Sequence, residues 1–433
     1  MEMNWKEHEN EVRNAMKGGI MGVICGDALG LPVQFLSREE IRKSPVTGMR
    51  GYGTFHLPEG SWSDDSSLTI ASMDSILHHG LDLSAMMKNF AAWLKDGKFT
   101  PYGCAYDIGR TCCTAIENYM AGADTAHCGL SGNRDCGNGA LMRILPTALY
   151  LLTENNCGEM EDKEVFLTQL HASTALTHAH PVALMASGIY TEILGAILRD
   201  RYGTKGRTLR ELAEEGIAAA KKEYTVMRRG NIREMDEEKY VKYFEKYSRL
   251  TDIAGFAALS EDEIRGSGYV VDTLEAAIWC CLNTENYMDC VLKAVNLGLD
   301  TDSVAAVAGG LAGAYYGIDA IPEEWLGTLT RIDWIMDLTE RFCDVMMKGR
   351  ENINPPVSLA EFTEAVRKRY EKDVCEEMKE SAGKYFESEE AQKMIADRYS
   401  SINEEYQELN TTKEQFLGGD ASTVAYCLSL MWE

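Results

Sequence analysis

Ser63-Asp64-Asp65 and Asp300-Thr301-Asp302-Ser303 each offer two carboxylates and a hydroxyl at the start of a helix-like run, far apart along one chain. Hard divalent cations take oxygen ligands, so two such clusters converging could hold a pair of Mg²⁺ or Mn²⁺ ions. The same residues also have an ordinary reading. Ser63 stands where an N-cap belongs, ahead of the run 64–77, and first-turn acids are favoured by the helix dipole with no metal present. Asp300 and Asp302 stand likewise ahead of 304–316. Either cluster alone reads as a cap; the presence of both is what suggests a metal centre.

Other residues could join such chemistry. Gly137-Asn138-Gly139-Ala140-Leu141-Met142-Arg143 sets two glycines ahead of a helical stretch. Free backbone amides there could cradle a phosphate, or the turn could simply start a helix. His178 and His180 are two residues apart, not the helical i, i+4 spacing of a zinc pair, so polar contact with a ligand or a structural hydrogen bond fits better than metal. Asp107, in Tyr106-Asp107-Ile108-Gly109, is either a free carboxylate or another first-turn acid. No nucleophile elbow, P-loop or dinucleotide fingerprint occurs in the chain, which leaves serine-nucleophile and P-loop mechanisms without support.

These groups need elements to position them. Apolar residues recur at helical spacing over 12–29, 66–77, 83–94, 105–120, 141–152, 182–198, 209–222, 271–282, 287–295 and 304–316, and alternating strand-like stretches are nearly absent. The pattern predicts an all-α fold with the site in the connections between helices. Gly22, Gly26 and Gly30 recur every fourth residue, as do Ala305, Gly309 and Gly313. A helix-interior glycine costs ~1 kcal/mol against alanine, so each series implies a groove that another backbone approaches closely.

Length permits one large core or several smaller ones. The 433 residues carry a net charge of -25, which argues against nucleic acid or an anionic membrane as a default partner. Thirteen scattered cysteines lack the paired spacing of a zinc site and read as buried thiols in a reducing compartment. The charged N-terminus has no apolar core of a secretory signal, so the expected location is cytoplasmic. The Ala- and Gly-rich stretch 303–318 is too short for a membrane span and reads as a buried helix. Residues 223–265 are charged and lightly apolar, and read as an insertion. A second block, 351–433, follows Asn354-Pro355-Pro356; Ser358 with Glu361 resembles a capping box, and the block reads as an amphipathic helical extension.

Taken in order, Gly26-Asp27-Ala28-Leu29-Gly30, Trp62-Ser63-Asp64-Asp65-Ser66, Tyr106-Asp107-Ile108-Gly109, Gly137 to Arg143, Thr177-His178, Gly266-Ser267-Gly268-Tyr269 and Asn296 to Ser303 resemble the ADP-ribosylglycohydrolase family, which includes the dinitrogenase reductase-activating glycohydrolase. The match spans about residues 14 to 345, within a catalytic domain placed at 1–350. The resemblance implies a compact helical fold with a binuclear Mg²⁺ or Mn²⁺ centre that removes ADP-ribose from a modified protein or small conjugate, most often from arginine. On that resemblance, Ser63, Asp64, Asp65, Asp300, Asp302 and Ser303 are the metal ligands, and Asp107, Asp65, Asp302 and Gln34 the catalytic set. Gly137, Asn138, Gly139 and His178 would contact ADP-ribose, together with Gly266, Ser267, Gly268 and Tyr269.

The chain departs from the family pattern at three places. Gln34 occupies a position that is usually glutamate, and it can neither carry charge nor act as a base. This raises an alternative: an ADP-ribose-binding protein with weakened turnover. Ser63 and Ser303 replace threonines, which keeps the hydroxyls, and Leu299 replaces a glycine beside the metal aspartates, which would narrow the pocket.

Overall fold

The computed structural model describes residues 8–154, 163–203, 206–225, 237–348, 359–373 and 379–408. Helices dominate, and among the described residues no strand forms; extended pairing is limited to isolated bridges, Leu130 with His178 and Gly137 with Tyr269. Six helices position the site: α1 (Glu9–Gly30), α2 (Asp64–His79), α3 (Arg110–Met120), α4 (Leu145–Glu154), α5 (Val270–Leu282) and α6 (Thr301–Tyr316).

The two glycine series meet. A Cβ on Gly22 would lie 2.1 Å from the Gly309 carbonyl oxygen, and one on Gly26 would lie 2.2 Å from that of Ala305. One on Gly30 would sit 2.4 Å from the Asp302 Cα. α1 and α6 therefore run in opposite directions at backbone contact, a spacing that any side chain at these positions would abolish. This contact puts the C-terminal end of α1 against the acidic start of α6, so residues from the two ends of the sequence share one place in the fold.

Two helices begin later than their apolar spacing predicts. The run read as 105–120 becomes helical only at Arg110, and the run read as 141–152 only at Leu145. Asp107 has φ 52°, a left-handed conformation that a right-handed helix cannot contain. Pro146 lies in the first turn of α4, where its missing N–H costs nothing. Leu141 and Met142 are buried in turns, so their apolarity reflects burial and not helix. Consequently Asp107 is not a first-turn acid, and no helix opens directly behind the Gly-Asn-Gly turn.

The chain divides into two compact units, Met1–Met347 and Lys348–Glu433. In the second, helices Leu359–Asp373, Lys379–Phe386 and Glu389–Glu408 bury Phe362, Val366, Tyr370, Phe386 and Ile395. Ser358 of the expected capping box, and 226–236 of the expected insertion, fall outside the described residues. The rest of that insertion forms short helical turns, including Glu245–Thr251 and Ile253–Ala257. Glu9–Val33 and Pro181–Arg201 are long and apolar enough to cross a membrane, yet 94% and 100% of their apolar windows are buried in the fold. The predicted buried stretch behaves alike: Val304 to Ala308 are at most 1% exposed. Among the described cysteines none is bonded to another; the sulfurs of Cys281 and Cys290 lie 3.7 Å apart.

Candidate active site

The start of α2 is held from a distance. Asp27, fully buried on α1, accepts hydrogen bonds from the Ser63 backbone N–H at 3.0 and 2.9 Å. It also accepts from the Ser66 N–H at 3.0 Å and the Ser66 hydroxyl at 2.6 Å. These are amides that a helix N-terminus leaves without partners, so one carboxylate satisfies them and fixes where Asp64 and Asp65 point. Burial raises the Asp27 pKa to about 6, against the opposing pull of these donors. Ser63 is also the N-cap, its Oγ facing the Asp65 N–H at 3.4 Å. Capping is thus real at this cluster. The sequence reading assigned Asp27 no role, although a carboxylate inside an otherwise apolar helix was the signal.

At the second cluster, Asp300 occupies the N-cap position of α6 but makes no side-chain cap. Its Oδ1 accepts from Gln34 Nε2 at 3.3 Å and its Oδ2 from Asn138 Nδ2 at 2.7 Å. The clusters touch at Asp65, whose Oδ2 accepts from the Ser303 hydroxyl at 3.2 Å and faces that of Ser63 at 3.4 Å. Asp65 Oδ1 and both oxygens of Asp302 are buried with no donor to pair with, and the Asp302 carboxyl lies against those of Asp107 and Asp300.

Such a cluster strains its own charge. Burial, and after it the neighbouring carboxylates, holds the pKa values of Asp64, Asp65 and Asp302 well above the ordinary range. A cation is the natural counterweight. Among the described residues no three His, Cys, Asp or Glu side chains already close around one point. The fit lies in the donor set: unpartnered carboxylate oxygens beside the hydroxyls of Ser63 and Ser303 are what Mg²⁺ or Mn²⁺ accepts as ligands.

Above the acids opens a cleft of about 380 Å³, lined by Gln34, Asp64, Asp107, Asn138, His178 and Asp300 among others. Asp65, Asp302 and Ser63 do not line it and are buried nearby. Three loops are laced together here. The Asn138 N–H donates to Gly268 O at 3.1 Å, the Val270 N–H to Cys136 O at 3.0 Å, and the Asp300 N–H to Gly266 O at 2.8 Å.

A model of the family described as ADP-ribosylglycohydrolase matches residues 8–352. The chain belongs to the ADP-ribosylglycohydrolase family. It is 30% identical over 334 residues to "ADP-ribosylarginine hydrolase Tri1" of Serratia proteamaculans, covering 77% of this chain and 80% of that protein. It is also 30% identical over 321 residues to "ADP-ribosyl-[dinitrogen reductase] glycohydrolase" of Rhodospirillum rubrum, covering 73% of this chain and 91% of that one. A solved structure titled "ADP-ribosylglycohydrolase-related protein complex" superposes with a TM-score of 0.58 at 27% identity, over 78% of this chain and 99% of its own. The enzyme is accordingly a hydrolase acting on ADP-ribosyl glycosidic bonds.

In this ADP-ribosylglycohydrolase, the residues expected at the substrate fall into two groups. Gly137, Asn138, Gly139 and His178 line the cleft. Gly266, Ser267, Gly268 and Tyr269 do not line it and instead brace its walls: Ser267 commits its hydroxyl to Asp272 at 2.6 Å, and Tyr269 is 37% exposed. The Asn138 amide is also spent on Gly268, so the Gly-Asn-Gly turn offers fewer free donors than its sequence suggests. The sequence reading missed Phe35, Ile108, Arg110 and Arg134 in the lining. Phe35 (φ 68°), in the cleft lining, and Leu299 (φ 70°), which does not line the cleft and so does not narrow it as expected, adopt left-handed backbones, and the Phe35 N–H bonds Leu299 O at 2.6 Å. Such strained positions are held by surrounding contacts and concentrate at functional sites.

Proposed function

We propose that the enzyme is metal-dependent and releases ADP-ribose from arginine or a related guanidino group. The meeting of the clusters at Asp65 and Ser303, with carboxylate oxygens of Asp65 and Asp302 unpartnered, carries the metal reading. The arginine linkage draws on the name of the Serratia proteamaculans relative, an ADP-ribosylarginine hydrolase. Ser63, Asp64, Asp65, Asp300, Asp302 and Ser303 would hold two divalent cations. When bound, these would supply Lewis-acid charge and orient the reacting ribose.

The chain's own residues do the rest. Asn138 fixes Asp300 at one oxygen and Gln34 fixes it at the other, so that carboxylate keeps one orientation. Asp107, which lines the cleft from a left-handed turn, would give a proton to the departing nitrogen. With cations bound to offset their mutual repulsion, Asp65 and Asp302 would be ionised and would favour an oxocarbenium-like state of the ribose. Gly137 and Gly139 leave room for the diphosphate to approach beside His178.

The test is release of free ADP-ribose from ADP-ribosyl-arginine with Mg²⁺, beside an Asp300→Ala/Asp302→Ala double variant. Metal-dependent release, lost in the variant, is expected; release unaffected by chelator would remove the metal reading. A second reading, an ADP-ribose binder with weakened turnover, rests on Gln34, whose Oε1 is buried without a donor where the family commonly places a carboxylate. It predicts that Gln34→Glu raises turnover sharply with little change in ADP-ribose affinity.

A further inference from the structure

Arg143 is fully buried over the Phe90 ring, 4.7 Å from its centroid, and its Nε and one terminal nitrogen have no hydrogen-bond partner. The other terminal nitrogen donates to Ser173 O at 3.2 Å and to Thr177 Oγ1 at 2.9 Å. A guanidinium can only donate, so Thr177 must accept there. Thr177 Oγ1 lies 3.0 Å from His178 Nδ1. The threonine hydroxyl has one proton and two further side chains beside it, the Cys112 sulfur and that nitrogen, of which the nitrogen is the stronger acceptor.

We propose that Arg143, acting through Thr177, fixes the proton of His178 on Nε2 and presents that N–H to the cleft as a neutral donor for a phosphate oxygen. If Thr177 donates to Nδ1, Nδ1 carries the lone pair, and a neutral imidazole then has its proton on Nε2. Burial, followed by the charges of Arg143 and Arg110, lowers the ring's pKa to about 3 against the opposing pull of Asp135, and so favours the neutral form. Nε2 points where a ligand would come. A Cβ on Gly137 would lie 3.3 Å from Nε2, and one on Gly139 would lie 3.0 Å from the neighbouring Cε1, so these glycines keep the approach clear. The Cys112 thiol donates its own proton to Gly139 O at 3.7 Å, and its sulfur is a weak acceptor beside an imidazole nitrogen, so Thr177 is left to donate to the ring. Arg143 and Thr177 are positioning residues here, and the cleft at this point selects an acceptor oxygen and rejects an amine. Only the identity of the ligand, a diphosphate, rests on the function proposed above.

Two-bond ¹H–¹⁵N correlation spectra of the labelled full chain read the tautomer without substrate, with His178 assigned by its loss in His178→Gln. The wild-type signal should be that of an Nε2–H imidazole, unchanged from pH 5 to 8. Thr177→Ser should keep it, and Thr177→Val should shift it toward the Nδ1–H form. Affinity for ADP-ribose should weaken about tenfold in Thr177→Val, the scale of one hydrogen bond to a charged group, and stay near wild type in Thr177→Ser. An Nδ1–H signal in the wild type, or an Nε2–H signal unmoved in a folded Thr177→Val, would overturn the relay. Should Thr177→Val not fold, the wild-type and Thr177→Ser spectra still decide. A wild-type Nε2–H signal with no ADP-ribose binding would keep the tautomer but overturn the phosphate role, and with it the functional reading.

Discussion

Asp27 Oδ2 receives the Ser66 hydroxyl at 2.6 Å and the Ser66 N–H at 3.0 Å, across 39 residues of sequence. One buried acid in the first long helix therefore sets the angle of the helix that carries Asp64 and Asp65. Removing it leaves buried amides without partners, at ~1–3 kcal/mol for each such group.

Asp27→Ala should lower unfolding free energy by about 2–6 kcal/mol, the sum for the Ser63 and Ser66 amides on that scale, and abolish ADP-ribose release. Asp27→Asn keeps the shape and one acceptor oxygen, so it should lose activity with a smaller stability change. Urea unfolding beside the release assay separates the two effects. Wild-type activity in Asp27→Asn would show that the anchor needs no charge.

Backbone contact between α1 and α6 makes a second prediction. Gly22→Ala would press a methyl group to 2.1 Å from a main-chain oxygen, which cannot yield as a side chain does. Destabilisation of about 3 kcal/mol or more is expected, on the scale of overpacked cores. Gly327→Ala, in a short helix with nothing within 4 Å of the added carbon, is the control and should be neutral or slightly stabilising. Equal melting of the two variants would contradict the close packing.

Clustered acids predict a response to cations. Melting should rise by several degrees when Mg²⁺ replaces chelator, because a ligand that binds only the folded state stabilises it by mass action. The Asp300→Ala/Asp302→Ala protein should not respond. A flat response in the wild type would count against the proposed ligand set.

His171 predicts a pH dependence of stability away from the acids. It is buried against Tyr224, Nε2 to hydroxyl 2.9 Å, and burial lowers its pKa to about 4. An unfolded histidine titrates near 6.5, so between these values the unfolded chain binds more protons. The stabilisation is complete above about 6.5 and is lost as pH falls toward 4, by at most about 1.4 kcal/mol per pH unit. In urea unfolding at pH 7, 6 and 5, wild type should lose its advantage over His171→Gln as pH drops. Parallel lines for the two proteins would dismiss His171 as the group responsible.

Helical periodicity, the two glycine series and the two acidic clusters were legible in the sequence because each is a local pattern: spacing along the chain states which face is apolar, which face is bare and which turn carries charge. Ser63 as a cap and 304–316 as a buried helix followed from the same local rules. The tertiary structure alone decided what those rules do not encode. That Ser303 reaches Asp65, that Asp27 holds Ser63 and Ser66, and that Gln34 and Asn138 grip opposite oxygens of Asp300 are contacts across tens to hundreds of residues. Helix starts at Arg110 and Leu145 were misplaced because apolar residues in buried turns carry the same signal as those on a helix face. The proton on His178 is the extreme case: sequence shows the histidine, but only packing sets a buried arginine and a threonine hydroxyl behind one of its nitrogens.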